Sequence, residues 1–176
     1  MKKITTFIML IAFAACNSDR STDGSSLTAK ADSSKAEVSY PYPIGYSSKF
    51  EFADPENSKM VLDLWKIYDN NTLDDAKDHF ADTAEMIFPD FKMRAGRDSI
   101  IAAAKDGRNM FNSVSSTVDV VMSVKSTDKG GNWVLVWGEE MHTDKKNKTD
   151  TVAIHEVWGL NKDGKIEFMQ QYASKK

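Results

Sequence analysis

Thr149-Asp150-Thr151-Val152-Ala153-Ile154-His155-Glu156-Val157-Trp158-Gly159-Leu160, then Asn161-Lys162-Asp163-Gly164, then Lys165-Ile166-Glu167-Phe168-Met169-Gln170-Gln171-Tyr172-Ala173, is the stretch that decides the fold. Two runs rich in β-branched and aromatic residues flank a cluster of turn formers, which predicts a β-hairpin. The pattern continues upstream. Trp133 to His142 is a long apolar-aromatic run that reaches Thr149 through Asp144-Lys145-Lys146-Asn147. Val114 to Val124, rich in Val, Ser and Thr, reaches Trp133 through Asp128-Lys129-Gly130-Gly131. The last three runs predict an antiparallel meander.

The residues before these strands read as helices. Asp54-Pro55-Glu56 has a capping acid, a proline at the first helical position and an acid in the first turn. Met60, Val61, Leu64, Trp65, Ile67 and Tyr68 then recur at helical spacing up to Asn70-Asn71. Thr72-Leu73-Asp74-Asp75 opens a second, shorter helix through Phe80, and Asp98-Ser99 caps a third over Ile100 to Phe111. Between them Glu85 to Phe91 is a short strand candidate that Pro89 interrupts. Helices first and strands later is the order of an α+β domain whose helices cover one face of a mostly antiparallel sheet.

The domain is preceded by different material. Asn17 to Ser39 is built of Ser, Thr, Asp, Lys and Ala with almost nothing apolar. It cannot bury enough surface to offset its ordering entropy, and it predicts a flexible tether with a reach on the order of 25 Å. Tyr40-Pro41-Tyr42-Pro43-Ile44-Gly45-Tyr46 reads as an extended segment packed on the domain surface, with a peptide-like recognition arm as the alternative. At the other end of the tether, Met1-Lys2-Lys3 precedes an uncharged apolar run, Ile4 to Ala15. That run is too short for a bilayer core and predicts a signal peptide over residues 1–15.

Phe13-Ala14-Ala15-Cys16 resembles the bacterial lipobox, with Phe13 where leucine is usual. The resemblance implies cleavage before Cys16 and its acylation; an ordinary signal peptide or an uncleaved anchor are the alternatives. Cys16 is the only cysteine, so the domain has neither an internal disulfide nor a thiolate nucleophile. Loss of residues 1–15 removes two lysines and no acid, leaving 21 basic against 26 acidic side chains, a net charge of −5. That balance, without a basic run, excludes nucleic acid as an expected partner. A cell-envelope location follows, with Asn17 after Cys16 favouring the outer membrane by analogy with bacterial sorting rules.

Leu64-Trp65-Lys66-Ile67-Tyr68, Leu73-Asp74, His79-Phe80-Ala81-Asp82-Thr83-Ala84, Gly96-Arg97-Asp98-Ser99-Ile100, Val136-Trp137-Gly138, Glu156-Val157-Trp158, Asp163-Gly164-Lys165-Ile166 and Gln171-Tyr172 occur in this order over Lys59 to Tyr172. The arrangement resembles the nuclear transport factor 2-like superfamily, the cystatin-like α+β cone. Within it the chain resembles SnoaL-like proteins and lipid-anchored members from Bacteroidetes-type bacteria. The resemblance implies a cone with about three N-terminal helices on the concave face of a curved sheet. It also implies a pocket between that face and the first helices, and homodimerisation through the outer face. The superfamily hosts isomerases, dehydratases, cyclases, hydrolases and binding subunits, so the fold does not assign a function.

The best-defined chemistry in the superfamily is ketosteroid isomerisation, which uses an Asp base with a Tyr and a protonated Asp. Matched over the shared blocks, the base position falls on Phe88, the tyrosine position on Leu64 and the protonated acid on Glu156. Two of the three roles are lost. Asp90 and Tyr68, displaced from those positions, and Glu156 remain the candidate acid–base groups. Glu156 shares a strand face with Ile154 and Trp158; lining a pocket, it would be a desolvated carboxylate able to hold a proton or pair with a cation. At the outer face it would be an ordinary sheet glutamate.

The expected pocket residues are Trp65, Tyr68, Phe88, Trp137, Glu156, Trp158, Met169 and Gln171, an aromatic wall with few polar groups. Trp133 reads as core packing. Many SnoaL-like relatives carry His and Asp where this chain has Met169 and Gln171, which weakens acid–base catalysis. With a turn centred on Lys146-Asn147, Trp137 pairs with Glu156 and Gly138 with His155. His142 and His155 then share the face opposite Glu156 with Glu140. Zinc-motif spacing is lacking, so neither a metal nor another cofactor is expected. The sequence therefore supports a lipid-anchored domain that binds a small, partly apolar ligand or a partner. The alternatives are a SnoaL-like isomerase, cyclase or hydrolase using Glu156 as acid or base, and a structural dimer without a ligand.

Overall fold

A computed structural model describes residues 38–175, the last of them by its backbone alone. The expected signal peptide, Cys16 and nearly all of the expected tether lie outside the described residues. From Tyr40 the chain forms one compact unit.

Strand β1 (Phe50–Phe52) leads into helix α1 (Pro55–Asn70), where the Asp54 carboxylate accepts a hydrogen bond from the Glu56 amide at 3.0 Å. Asn71 ends the helix in the left-handed conformation, and its N–H returns to the carbonyls of Ile67 and Tyr68. The second helix is a single 3-10 segment, Leu73–His79, which passes directly into β2 (Phe80–Ile87). A hairpin brings in β3 (Lys92–Gly96), followed by α2 (Arg97–Arg108) and the long strands β4 (Phe111–Ser126), β5 (Asn132–Asp144), β6 (Thr149–Leu160) and β7 (Ile166–Lys175). Helix α2 starts at Arg97 with Gly96 as its cap and no side-chain cap bond, so Asp98 lies in the first turn. Asp98 instead pairs with Lys77 at 2.5 Å.

All seven strands form one curved sheet in the order β1-β4-β5-β6-β7-β2-β3. Every neighbouring pair is antiparallel except β2 and β7, which run parallel. Bulges in β4 between Phe111 and Ser113 and between Val118 and Val120 add local twist to a strand too long to stay flat. The 3-10 segment and both helices lie on one face. Val61, Leu64 and Trp65 from α1, and Ile100 and Ile101 from α2, bury against Val134, Val136, Ile154, Trp158, Ile166 and Met169 of the sheet. Removing that apolar area from water is the main stabilising contribution.

A buried cation closes one end of this core. Arg108, 5% exposed, donates from Nε to the Tyr68 carbonyl (2.9 Å), from Nη2 to Asp69 O (3.1 Å) and from Nη1 to Phe111 O (3.3 Å). Two of these carbonyls lie in the last turn of α1, so the guanidinium adds donors there and complements the negative end of the helix dipole.

The β5–β6 turn differs from the expected one. Five residues, Asp144–Lys148, form the loop, with Asn147 at φ 60°. Asp144 Oδ1 accepts from the amides of Lys146 (2.8 Å) and Lys148 (2.9 Å). An odd loop shifts the register by one: Trp137 pairs with His155 and Val136 with Glu156. A one-residue shift exchanges the faces of one strand relative to the other. Glu140 and His142 thus join the Glu156 face, whereas Trp137 and His155 occupy the opposite one.

Two further expectations need correction. Tyr40, Tyr42 and Ile44 are exposed, Tyr42 by 78%, so most of the Tyr-Pro segment is not packed down. Tyr46 does pack, edge-on against Trp133 with ring centroids 5.6 Å apart. Trp133 itself sits on the outer face, where Phe168 meets it on the other side, rather than in the core beneath the helices. Among the described residues no helix is long and apolar enough to cross a membrane.

Candidate functional site

Between the helices and the inner sheet face lies a cavity of about 330 Å³. Helix α1 contributes Leu64, Trp65 and Tyr68, three residues brought to one side by the helical repeat. Helix α2 contributes small side chains, Ala103, Ala104 and Gly107, which leave the space open. From the sheet, alternate residues of β6 (Val152, Ile154, Glu156, Trp158) and of β7 (Met169, Gln171, Ala173) point in, as the two-residue period of a strand requires. Phe88 and Phe91, their rings stacked 4.7 Å apart across the β2–β3 turn, complete the wall, with Phe91 54% exposed at its rim.

Glu156, 5% exposed, is fastened in this wall. Its Oε2 accepts from Trp65 Nε1 at 2.6 Å and from Trp158 Nε1 at 2.9 Å, and its Oε1 accepts from Gln171 Nε2 at 2.9 Å. Burial pushes its pKa above the ordinary carboxyl value, and the bonds from Gln171, Trp65 and Trp158 oppose that shift without cancelling it. Indole N–H groups can only donate, so both tryptophans are satisfied here and nowhere else in the wall. Glu156 thereby ties α1, β6 and β7 together.

A second carboxylate behaves differently. Glu140, on β5 opposite Ser116 of β4 and Val152 of β6, also lines the cavity. Its Oε1 stands 3.3 Å from His142 Nδ1, which lacks hydrogen-bond geometry to any acceptor. Burial raises its pKa, His142 pulls it back, and the charge of Asp69 adds to the rise. Tyr68 is pushed up to about 12, chiefly by burial and then by the Glu140 charge, and so remains a neutral phenol at the cavity wall. Asp69 is engaged elsewhere, accepting from Ser116 Oγ (2.9 Å) and the Ser116 amide (3.2 Å).

Of the expected site residues, Trp65, Tyr68, Phe88, Glu156, Trp158, Met169 and Gln171 therefore meet around one cavity. Trp137 does not. The odd β5–β6 loop turns it to the outer face, where it stacks on His155 at 4.7 Å and 6°. Asp90 does not either: it is exposed in the turn after Pro89, away from the wall. His142 and His155 fall on opposite faces, which separates the pair, and among the described residues no cluster of ligating side chains could hold a metal. Sequence reading passed over Glu140 as a pocket residue, together with Phe91, Met93 and Ser116. An Asp144…Asn147 loop read as odd-numbered places Glu140 on the Glu156 face, and Phe91 mirrors Phe88 about the turn.

No family model matches the chain, and no curated protein matches it significantly. Solved structures do match. A putative SnoaL-like polyketide cyclase from Shewanella denitrificans superposes with a TM-score of 0.58 at 10% identity, covering 69% of this chain and 92% of its own. The chain has the nuclear transport factor 2-like fold. An LEH-like epoxide hydrolase from M. tuberculosis gives 0.56 at 13% identity, covering 68% and 83%. A hypothetical protein with a ketosteroid isomerase-like fold from Catenulispora acidiphila, in complex with trimethylamine, gives 0.54 at 14% identity, covering 65% and 84%. In the nuclear transport factor 2-like frame the cavity lies between the helices and the inner face of the sheet.

Proposed function

We propose that this is a ligand-binding domain of the cell envelope, held to a membrane by lipid on Cys16, whose cavity takes a small, partly apolar molecule. The observation that carries this reading is the state of Glu156. Three donated hydrogen bonds fix it as part of the wall, so the residue best placed for proton transfer is committed to structure. The cavity then offers rings and aliphatic side chains with few polar groups, the composition of a binding site. Burying such a ligand is favourable in proportion to its apolar area.

A second reading, a SnoaL-like enzyme, keeps one supporting observation: Tyr68 and Glu140 face the cavity with groups not saturated by hydrogen bonds. The test is Glu156→Gln. On the binding reading the variant retains whatever copurifies with the wild type. A substrate whose turnover stops in Glu156→Gln, or in Tyr68→Phe, while its binding persists would replace the binding reading with the enzymatic one. Anchoring is tested separately: Cys16→Ser is expected to move the protein from the membrane fraction to the soluble one.

The outer sheet face fits the proposal of a homodimer. Val120, Met141 and Tyr172 are each more than two-fifths exposed there, beside the Trp137–His155 stack. Exposed apolar groups clustered on one face mark an interaction surface.

A further inference from the structure

We infer that the cavity's ligand carries a positive charge on an apolar body, an aliphatic or aromatic ammonium, with Glu140 as its counter-ion. This rests on the reading of the cavity as a ligand site and narrows the class of molecule it takes. The wall contains two carboxyl groups, Glu140 and Glu156, and no lysine, arginine or histidine among the described residues. An anionic ligand would meet acids and no cation. Arg108 is the nearest buried guanidinium by sequence and fold, but it does not line the cavity, and each of its three nitrogens donates to a main-chain carbonyl.

The two carboxyl groups are unequal in what they can offer. Glu156 already accepts from two indoles and an amide. Glu140 has His142 Nδ1 at 3.3 Å as its nearest polar side-chain neighbour, the Arg108 charge acts on it from further off, and its side chain is 17% exposed. It therefore has an open side for an incoming positive charge, and burial leaves its own charge poorly solvated, so a cation beside it gains more than it would in water. Along β5, Glu140 lies four residues from Val136, the partner of Glu156, or about 13 Å at ~3.3 Å per residue. One end of the cavity is thus polar, with Tyr68, Ser116 and Glu140, while Leu73, Phe80, Met86, Ile100 and Met169 make an apolar stretch beside the mutually bonded Glu156 and Gln171. Tyr68, at the polar end, is an aromatic ring of the kind that attracts ammonium groups. The volume, about 330 Å³, is at the small end of ligand sites and suits one ring with an ammonium head.

The experiment compares three probes of nearly equal shape: benzyltrimethylammonium, its uncharged carbon isostere neopentylbenzene, and the anion phenylacetate. Binding to the purified protein is followed by calorimetry and by quenching of tryptophan fluorescence, since Trp65 and Trp158 stand in the wall. The cation is expected to bind at least about tenfold more tightly than the isostere, roughly 1.4 kcal/mol, and the anion more weakly than either. Glu140→Gln is expected to bring the cation and isostere within about threefold while leaving the isostere's affinity unchanged, which also shows that the variant is folded. Equal affinities in the wild type, a tighter anion, or a cation preference that survives Glu140→Gln would overturn the charge inference and leave the ligand site standing. Absence of binding by all three probes would overturn the site itself.

Discussion

Replacing Glu156 by Leu and by Gln separates its two contributions. Leu removes the acceptor for Trp65, Trp158 and Gln171 at once. Trp65 and Trp158 are only 8% and 6% exposed, so solvent reaches their N–H groups poorly. An orphaned buried donor costs about 1–3 kcal/mol, so for the two indoles together Glu156→Leu should lose roughly 2–6 kcal/mol. Gln keeps an oxygen for both indoles, and the Gln171 amide can turn over to accept from the new NH₂ group. Its loss at acid pH should therefore be no more than about 1 kcal/mol.

The pH dependence follows from the direction of the shift. Unfolded, Glu156 ionises near its ordinary value of 4.5, whereas burial makes the folded state hold the proton to higher pH. The native state then binds more protons than the unfolded one, so this contribution is complete below 4.5 and is lost as pH rises towards the folded pKa. Within that window the wild type should lose about 1.4 kcal/mol per pH unit relative to Glu156→Gln, which cannot ionise. Urea unfolding followed by tryptophan fluorescence, from pH 4.5 to 7, measures the difference, which includes the electrostatic coupling of Glu156 to Glu140. Parallel stability curves, or a Leu variant no weaker than the Gln variant, would refute the reasoning.

Gly138 lies beneath Trp65, and a Cβ there would strike the Thr117 carbonyl and approach Trp65 Cζ3 to 3.2 Å. Because the carbonyl is backbone, Gly138→Ala should destabilise by about 1–3 kcal/mol in urea titration. Arg108→Met removes the donors to three carbonyls and should cost about 3 kcal/mol, seen as a lowered Tm at neutral pH. If the outer face joins two copies, sedimentation gives twice the monomer mass, and Met141→Glu with Tyr172→Glu gives the monomer; a monomeric wild type would contradict this.

The sequence was most informative where a local rule and a tertiary demand agreed. The ends of β6 fall at Thr149 and Leu160, where alternation and turn residues both stop. Helix α1 begins and ends at its capping residues, Asp54 and Asn71. It was least informative where structure depends on distant partners. Lys92-Met93-Arg94-Ala95-Gly96 has little strand character and becomes β3 through its ladder with β2. Phe50-Glu51-Phe52 is a strand because β4 continues past the helices and offers an edge. The candidate site turned on a single loop. Alternation along β6 and β7 placed Glu156, Trp158, Met169 and Gln171 together. The side chain of Asp144, by holding two amides, set an odd loop that exchanged Trp137 for Glu140. Hydrogen bonds of that kind are local, but their effect on register reaches the length of the sheet.

The central claim, that the cavity holds a small molecule, is tested most directly by native mass spectrometry of the wild type beside Ala104→Phe, which fills the cavity from α2. The account predicts a reproducible adduct on the folded wild type, lost on denaturation and absent from the filled variant. An adduct of equal abundance on both proteins, or a wild type that stays bare after incubation with benzyltrimethylammonium and neopentylbenzene, would contradict it.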